Sequence, residues 1–171
     1  MVFVFWIVVA LIAAGIHLMR HKDLRSRGEV AKVLLRYWLL VVIGIGSIFG
    51  AMFHIFDARE TAENIGFIPW EPQSTGAFQF ENAMGDLAIG IAAMMCFWIK
   101  DTKFWLAVII ISLIQFWGDA YGHIYQMVEY DNHAEDNTGA ILVFDIVNPL
   151  VLVVLYWLMG HSGKTESAST T

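Results

Sequence analysis

Cysteine is nearly absent from this chain. Cys96 stands alone, which rules out an intrachain disulfide and any thiolate metal cluster. Charge is scarce as well, with 15% of residues charged against the roughly 25% usual in soluble domains. Only three prolines interrupt the 171 residues, so little in the chain breaks helices. Cation-rich runs interleaved with aromatics are missing, and nothing supports nucleic-acid binding.

What fills the space is apolar. Hydrophobic residues make up 58% of the chain and mean hydropathy is +0.61. A membrane-spanning helix needs roughly 20 mostly apolar residues. Five such segments can be read, at 2–19, 34–56, 80–99, 104–127 and 140–159. They predict an all-α integral membrane bundle of about five transmembrane helices, a single unit over 1–161, with a disordered polar tail at 162–171. Trp6, Trp38, Trp98, Trp105 and Trp157 fall near predicted membrane edges, where aromatic belts form. The first span has no basic stretch before it and no evident cleavage site, so it reads as a retained helix rather than a signal peptide.

With five spans, Arg20, Lys22, Arg25, Arg27, Lys32, Arg36, Lys100, Lys103 and Lys164 share one side, nine of the ten Lys and Arg residues. Arg59 alone falls on the other side, among Asp57, Glu60, Glu63, Glu71, Glu81, Glu129, Asp131, Glu135 and Asp136. Cytoplasmic loops carry the basic excess. The expected orientation therefore has the amino terminus outside and the carboxyl terminus cytoplasmic, in the inner (plasma) membrane. The net charge of −6 is polarised into an acidic outer face and a basic inner one.

Ionisable residues recur toward the outer ends of the spans, where burial forces them toward the bundle interior and a partner. Gln115, Asp119, His123 and Gln126 are spaced four, four and three apart on one helical face. Asp119 lies about 12 Å from the outer end of its span, at 1.5 Å per residue. Gly118 and Gly122 have the spacing that lets membrane helices approach closely. Ser47, Gly50, His54 and Asp57 repeat the pattern in the second span. Glu81 shares a face with Gly85 and Ala88 in the third, with Asn82 and Asp86 beside it, and the fifth contributes Asp145 and Asn148 before Pro149. The simplest assembly joins His54, Asp57, Glu81, Asp86, Asp119, His123, Gln126 and Asp145 in an outward-open ligand-binding pocket. Glu81, Asp119 and His123 are the candidate metal ligands, of a type that suits zinc, copper or iron.

Three readings follow. The leading one is a membrane protein that binds a small ligand, of lipophilic kind or other, or a divalent metal ion. The second is an enzyme acting on a lipid or quinone by acid–base or metal chemistry, and the third an accessory subunit of a larger membrane complex or oligomer whose polar stripes only pack.

The ordered strings Phe53-His54, Glu63-Asn64-Ile65-Gly66-Phe67, Phe78-Gln79-Phe80-Glu81, Tyr121-Gly122-His123-Ile124-Tyr125-Gln126-Met127 and Asp145-Ile146-Val147-Asn148-Pro149 resemble an uncharacterised family of small bacterial multi-pass membrane proteins, a domain of unknown function. The resemblance runs from about residue 44 to 156. It directs interest to Glu81 and His123, and it implies that Asp86 and Asp119 are particular to this chain. A shorter string, Asp119-Ala120-Tyr121-Gly122-His123 with His133 beyond it, is similar to the Asp and His copper-site string of particulate methane and ammonia monooxygenases, with a different spacing to the second histidine.

Overall fold

Capping and helical phase explain most of the architecture. The computed structural model describes residues 2–67 and 70–167, with side chains over 3–67 and 70–160. All regular structure among the described residues is helical. Helix α1 spans Val2–Arg20. A short turn leads to Ser26, whose hydroxyl accepts from the Glu29 N–H while the Glu29 carboxylate accepts from the Ser26 N–H. This reciprocal cap starts the long helix α2, Arg27–Phe56, seven residues before the apolar run expected at 34. Its middle, Trp38–Ile45, is wound as a π-helix.

The outer connection expected over 57–79 holds a helix of its own, α3, Ala58–Ile65. It ends at Gly66, which has φ of 85°, a conformation suited to glycine. A π-type turn at Pro72–Gly76 feeds α4, Ala77–Met95. Asp101 caps α5, Thr102–Tyr130, by accepting from the Lys103 N–H at 2.8 Å. After α5 come the one-turn helix α6, Glu135–Thr138, and then α7, Ala140–Ser167. The last helix thus passes the expected start of a disordered tail at 162, and residues 168–171 lie outside the described ones.

Five long helices run alternately through the bundle. At the basic end, Arg36 donates to the Phe97 carbonyl at 2.6 and 3.1 Å and lies over its ring, and Tyr156 donates to the Thr102 carbonyl. At the acidic end, Phe3 meets Phe144 with ring centroids 4.4 Å apart, and His54 meets Gln79. Four helical stretches are long and apolar enough to cross a membrane: Phe3–Arg20, Arg27–Phe56, Thr102–Tyr130 and Glu135–Gly160. Helix α4 has the length but not the hydropathy, because Gln79, Glu81, Asn82 and Asp86 occupy its first half.

The basic half of the bundle is closed by apolar packing, with Leu35, Leu39, Ile43, Trp105, Ile109 and Leu152 fully buried. Helix α4 packs along the second half of α2, at a point where their backbones nearly touch. A Cβ on Gly90 would lie 2.8 Å from the Gly44 carbonyl oxygen and 3.1 Å from the Ile48 nitrogen. Close approach through small residues is therefore used between α2 and α4. It is not used at Gly118 and Gly122, where a Cβ would meet nothing within 4 Å. Gly90→Ala is expected to destabilise the protein by about 1–3 kcal/mol, as overpacking does, whereas Gly118→Ala leaves stability unchanged or raised. Thermal unfolding in detergent measures both, and equal tolerance of the two would contradict the α2–α4 contact.

Candidate functional site

Four of the long helices, α2, α4, α5 and α7, carry polar side chains that face the interior of the acidic half. On α4 the inward positions are Gln79, Ala83, Asp86, Gly90 and Ala93, a stripe of alternating four- and three-residue steps. Glu81 sits two residues from Gln79, roughly 200° around the helix, and its side chain is exposed. Helical phase thus removes Glu81 from the expected pocket. Asp57 is also exposed, in the break between α2 and α3. Gln126 is half-buried, and its carbonyl accepts from the Asn132 N–H where α5 ends.

His54, Asp86, Asp119, His123 and Asp145 do come together. Asp119, on α5, lies within electrostatic range of Asp86 on α4, Asp145 on α7, His54 on α2 and its own neighbour His123. Both Asp119 carboxylate oxygens accept from the Gln115 amide, at 3.1 and 3.3 Å. The Gln115 amide oxygen in turn lies beside Gly85, and the Asp86 carboxylate beside Gly50, so two glycines leave room for this polar layer.

Both ring nitrogens of His54 are committed. Nδ1 faces the Gln79 amide oxygen, and Nε2 is 3.3 Å from the Asn82 amide nitrogen. A neutral imidazole protonated on Nδ1 satisfies both partners. Gln79 is only 1% exposed. His123 is different. Its Nδ1 donates to Asn137 Oδ1 at 2.9 Å, while Nε2 faces the buried Asp145 carboxylate at 3.7 Å, inside ion-pair range but too long for a hydrogen bond.

The connecting segments at the acidic end close over this site. Asn137, fully buried, donates to the carbonyls of His123 and Asn132 at 3.2 and 2.8 Å. Asn132 donates at 2.9 Å to the Ile65 carbonyl at the end of α3, and packs on Gly66. The expected outward-open pocket is therefore roofed by α3 and the 132–138 segment. Sequence reasoning missed Gln79 and Asn137 as site residues. The Phe-Gln-Phe-Glu string offered a signal for the first, but no helical phase extends through the loop that holds the second.

The metal expectation is not met in the form stated. Glu81 points away from Asp119 and His123, and no group of three or more His, Cys, Asp or Glu among the described residues is arranged to hold a metal ion. His133 is exposed and pairs with Asp131 at 3.0 Å, so it supplies no further ligand for the copper-site likeness. What the layer does hold is three carboxyl groups and two imidazoles, and no Lys or Arg forms an ion pair with them. The one Lys or Arg ion pair among the described residues is the exposed Arg59–Glu63 contact. Only protons or an added cation can balance such a layer.

Replacing Asn137 by Leu keeps most of its volume and leaves the His123 Nδ1–H and carbonyl without their partners. The expected cost is about 1–3 kcal/mol, with faster amide hydrogen exchange over 132–139. Unchanged exchange in that segment would show that the roof does not depend on His123.

A family model described as "Family of unknown function (DUF6790)" matches residues 1–165. No curated protein and no solved structure matches the chain.

Proposed function

We propose that this chain, which belongs to that family of unknown function, is a five-span plasma-membrane protein that binds a small organic cation in its acid–histidine layer. The carrying observation is the set of three aspartates, Asp86, Asp119 and Asp145, on three helices, with two imidazoles near them and, among the described residues, no Lys or Arg paired to them. Each ionised carboxylate at bilayer depth costs roughly 2.5–3.5 kcal/mol. A bound cation offsets that cost, and the bundle gains stability from it. Carboxyls spread over three helices suit a polyatomic ammonium compound better than a single small metal ion, which needs its ligands gathered about one point.

The alternating course of the long helices supports five spans. The polarity of α4 is compatible with spanning, because Gln79 and Asp86 face the interior layer and Glu81 lies within five residues of the helix start, at interfacial depth. The side that carries nine of the ten Lys and Arg residues is the cytoplasmic one.

Orientation is tested with single cysteines at exposed positions in a Cys96→Ala background, since Cys96 itself is buried. A membrane-impermeant maleimide applied to intact cells should label Asp136→Cys and spare Lys100→Cys, while a permeant one labels both. External labelling of Lys100→Cys would overturn the orientation.

Cation binding is tested by thermal unfolding in detergent. Methylammonium or tetramethylammonium chloride should raise the Tm of the wild type above that in sodium chloride of equal ionic strength. Asp119→Asn should fold, with a Tm in sodium chloride at or above that of the wild type, because a costly buried charge is gone. Its response to the ammonium salts should be lost. A response equal to the wild type's in Asp119→Asn, Asp86→Asn and Asp145→Asn alike would refute the proposal.

A further inference from the structure

At the opposite, basic end of the bundle, α5 and α7 flank a groove open to the exterior. Its walls are Leu106, Ile110 and Leu113 on α5 and Val153, Trp157 and Gly160 on α7. The α5 residues form one stripe that begins a turn earlier at Lys103, with steps of three, four and three. Lys103 and its neighbour Lys100 are exposed. The carboxylate between them, Asp101, is engaged in capping the Lys103 N–H. Gly160 leaves the groove open on the α7 side, since a Cβ there would meet nothing within 4 Å. Below it the two helices are tied by the hydrogen bond from the Tyr156 hydroxyl to the Thr102 carbonyl at 3.3 Å.

We infer that this groove is a binding site for an anionic phospholipid, with one acyl chain along Leu106–Leu113 and the headgroup phosphate at Lys103 and Lys100. The wall from Leu106 to Leu113 rises about 10 Å at 1.5 Å per residue, the scale of the first part of an acyl chain. The arrangement is apolar along its length and cationic at one end, complementary to an amphipathic anion and not to a zwitterion. A second copy of the chain is a poorer occupant. Parallel copies related by a two-fold axis would set Lys103 against Lys103. The inference rests on the membrane reading above but not on the cation layer, which lies at the other end of the bundle.

Detergent-purified full-length protein is titrated with phosphatidylglycerol and, separately, with phosphatidylcholine of the same acyl chains, and bound lipids are counted by native mass spectrometry. The wild type should bind one phosphatidylglycerol in preference to phosphatidylcholine. Lys103→Gln should weaken that binding about fivefold, the factor for one cation lost beside anionic headgroups. Gly160→Phe, which fills the groove from α7, should abolish it, and Leu106→Trp should do the same from α5, so a folding defect in one variant does not decide the matter. Equal binding of the two lipids by the wild type would overturn the inference. So would a dimeric mass that Gly160→Phe converts to monomer, which would assign the groove to a second copy. Release of the chain from membranes by alkaline carbonate without detergent would instead defeat the membrane reading on which the inference stands.

Discussion

Three aspartates drawn from three helices constrain the acidic half of this bundle more than any apolar contact does. A carboxylate buried inside a bundle must meet a proton, a cation or a hydrogen-bond donor. Donors are supplied sparingly. Asp119 has the Gln115 amide, and Asp145 has only the distant Nε2 of His123. The surrounding helices make space for this layer with glycine, at Gly50 beside Asp86 and at Gly85 beside Gln115. The polar layer is thus built into the packing of four helices.

The other half of the molecule makes such a layer tolerable. Below the carboxylates the bundle closes with aliphatic residues and with the Gly44–Gly90 contact. One buried polar side chain in this half makes two hydrogen bonds. The Asn148 side chain accepts from the Trp38 indole at 3.1 Å and donates to the Phe144 carbonyl at 3.0 Å. The first of these bonds joins α2 to α7 one turn from Asp145, so the part of α7 that carries the carboxyl is anchored. Above the layer, Asn137 and Asn132 link the two connections at the acidic end and cover His123. Any cation bound to the aspartates must pass this roof or enter between helices. Helices α4 and α5 touch over a shorter stretch than α2 and α4 do, which makes the α4–α5 side the more open one.

Much of this could be read from residue order, because the controlling physics is local or one-dimensional. Hydropathy over windows of about 20 residues yields the all-helical character and the positions of α1, α2, α5 and α7. The distribution of Lys and Arg yields the polarity of the molecule. Helical spacing within one segment places Gln115, Asp119 and His123 on a common face, as the structure has them. Hydropathy alone sets the start of α2 too late, because the Ser26–Glu29 cap that begins the helix lies in a polar stretch.

Tertiary structure decided the rest, and Glu81 shows why. Its helix bears polar residues at 79, 81, 82 and 86, and the pattern alone gives several equivalent choices of inward face. The choice is made by the tight seam of Gly90 on Gly44, which fixes the rotation of α4 and turns Gln79 and Asp86 in and Glu81 out. The same holds for the glycine pair of α5, whose spacing suits helix contact but which meets no neighbour, since contact depends on a second surface that the segment does not contain. Asn137 became part of the site only when a loop without periodicity folded back over His123. Length, polarity and helical phase are properties of a segment and travel with its sequence. Rotation, partner choice and loop closure are properties of pairs of segments, and only the assembled bundle sets them.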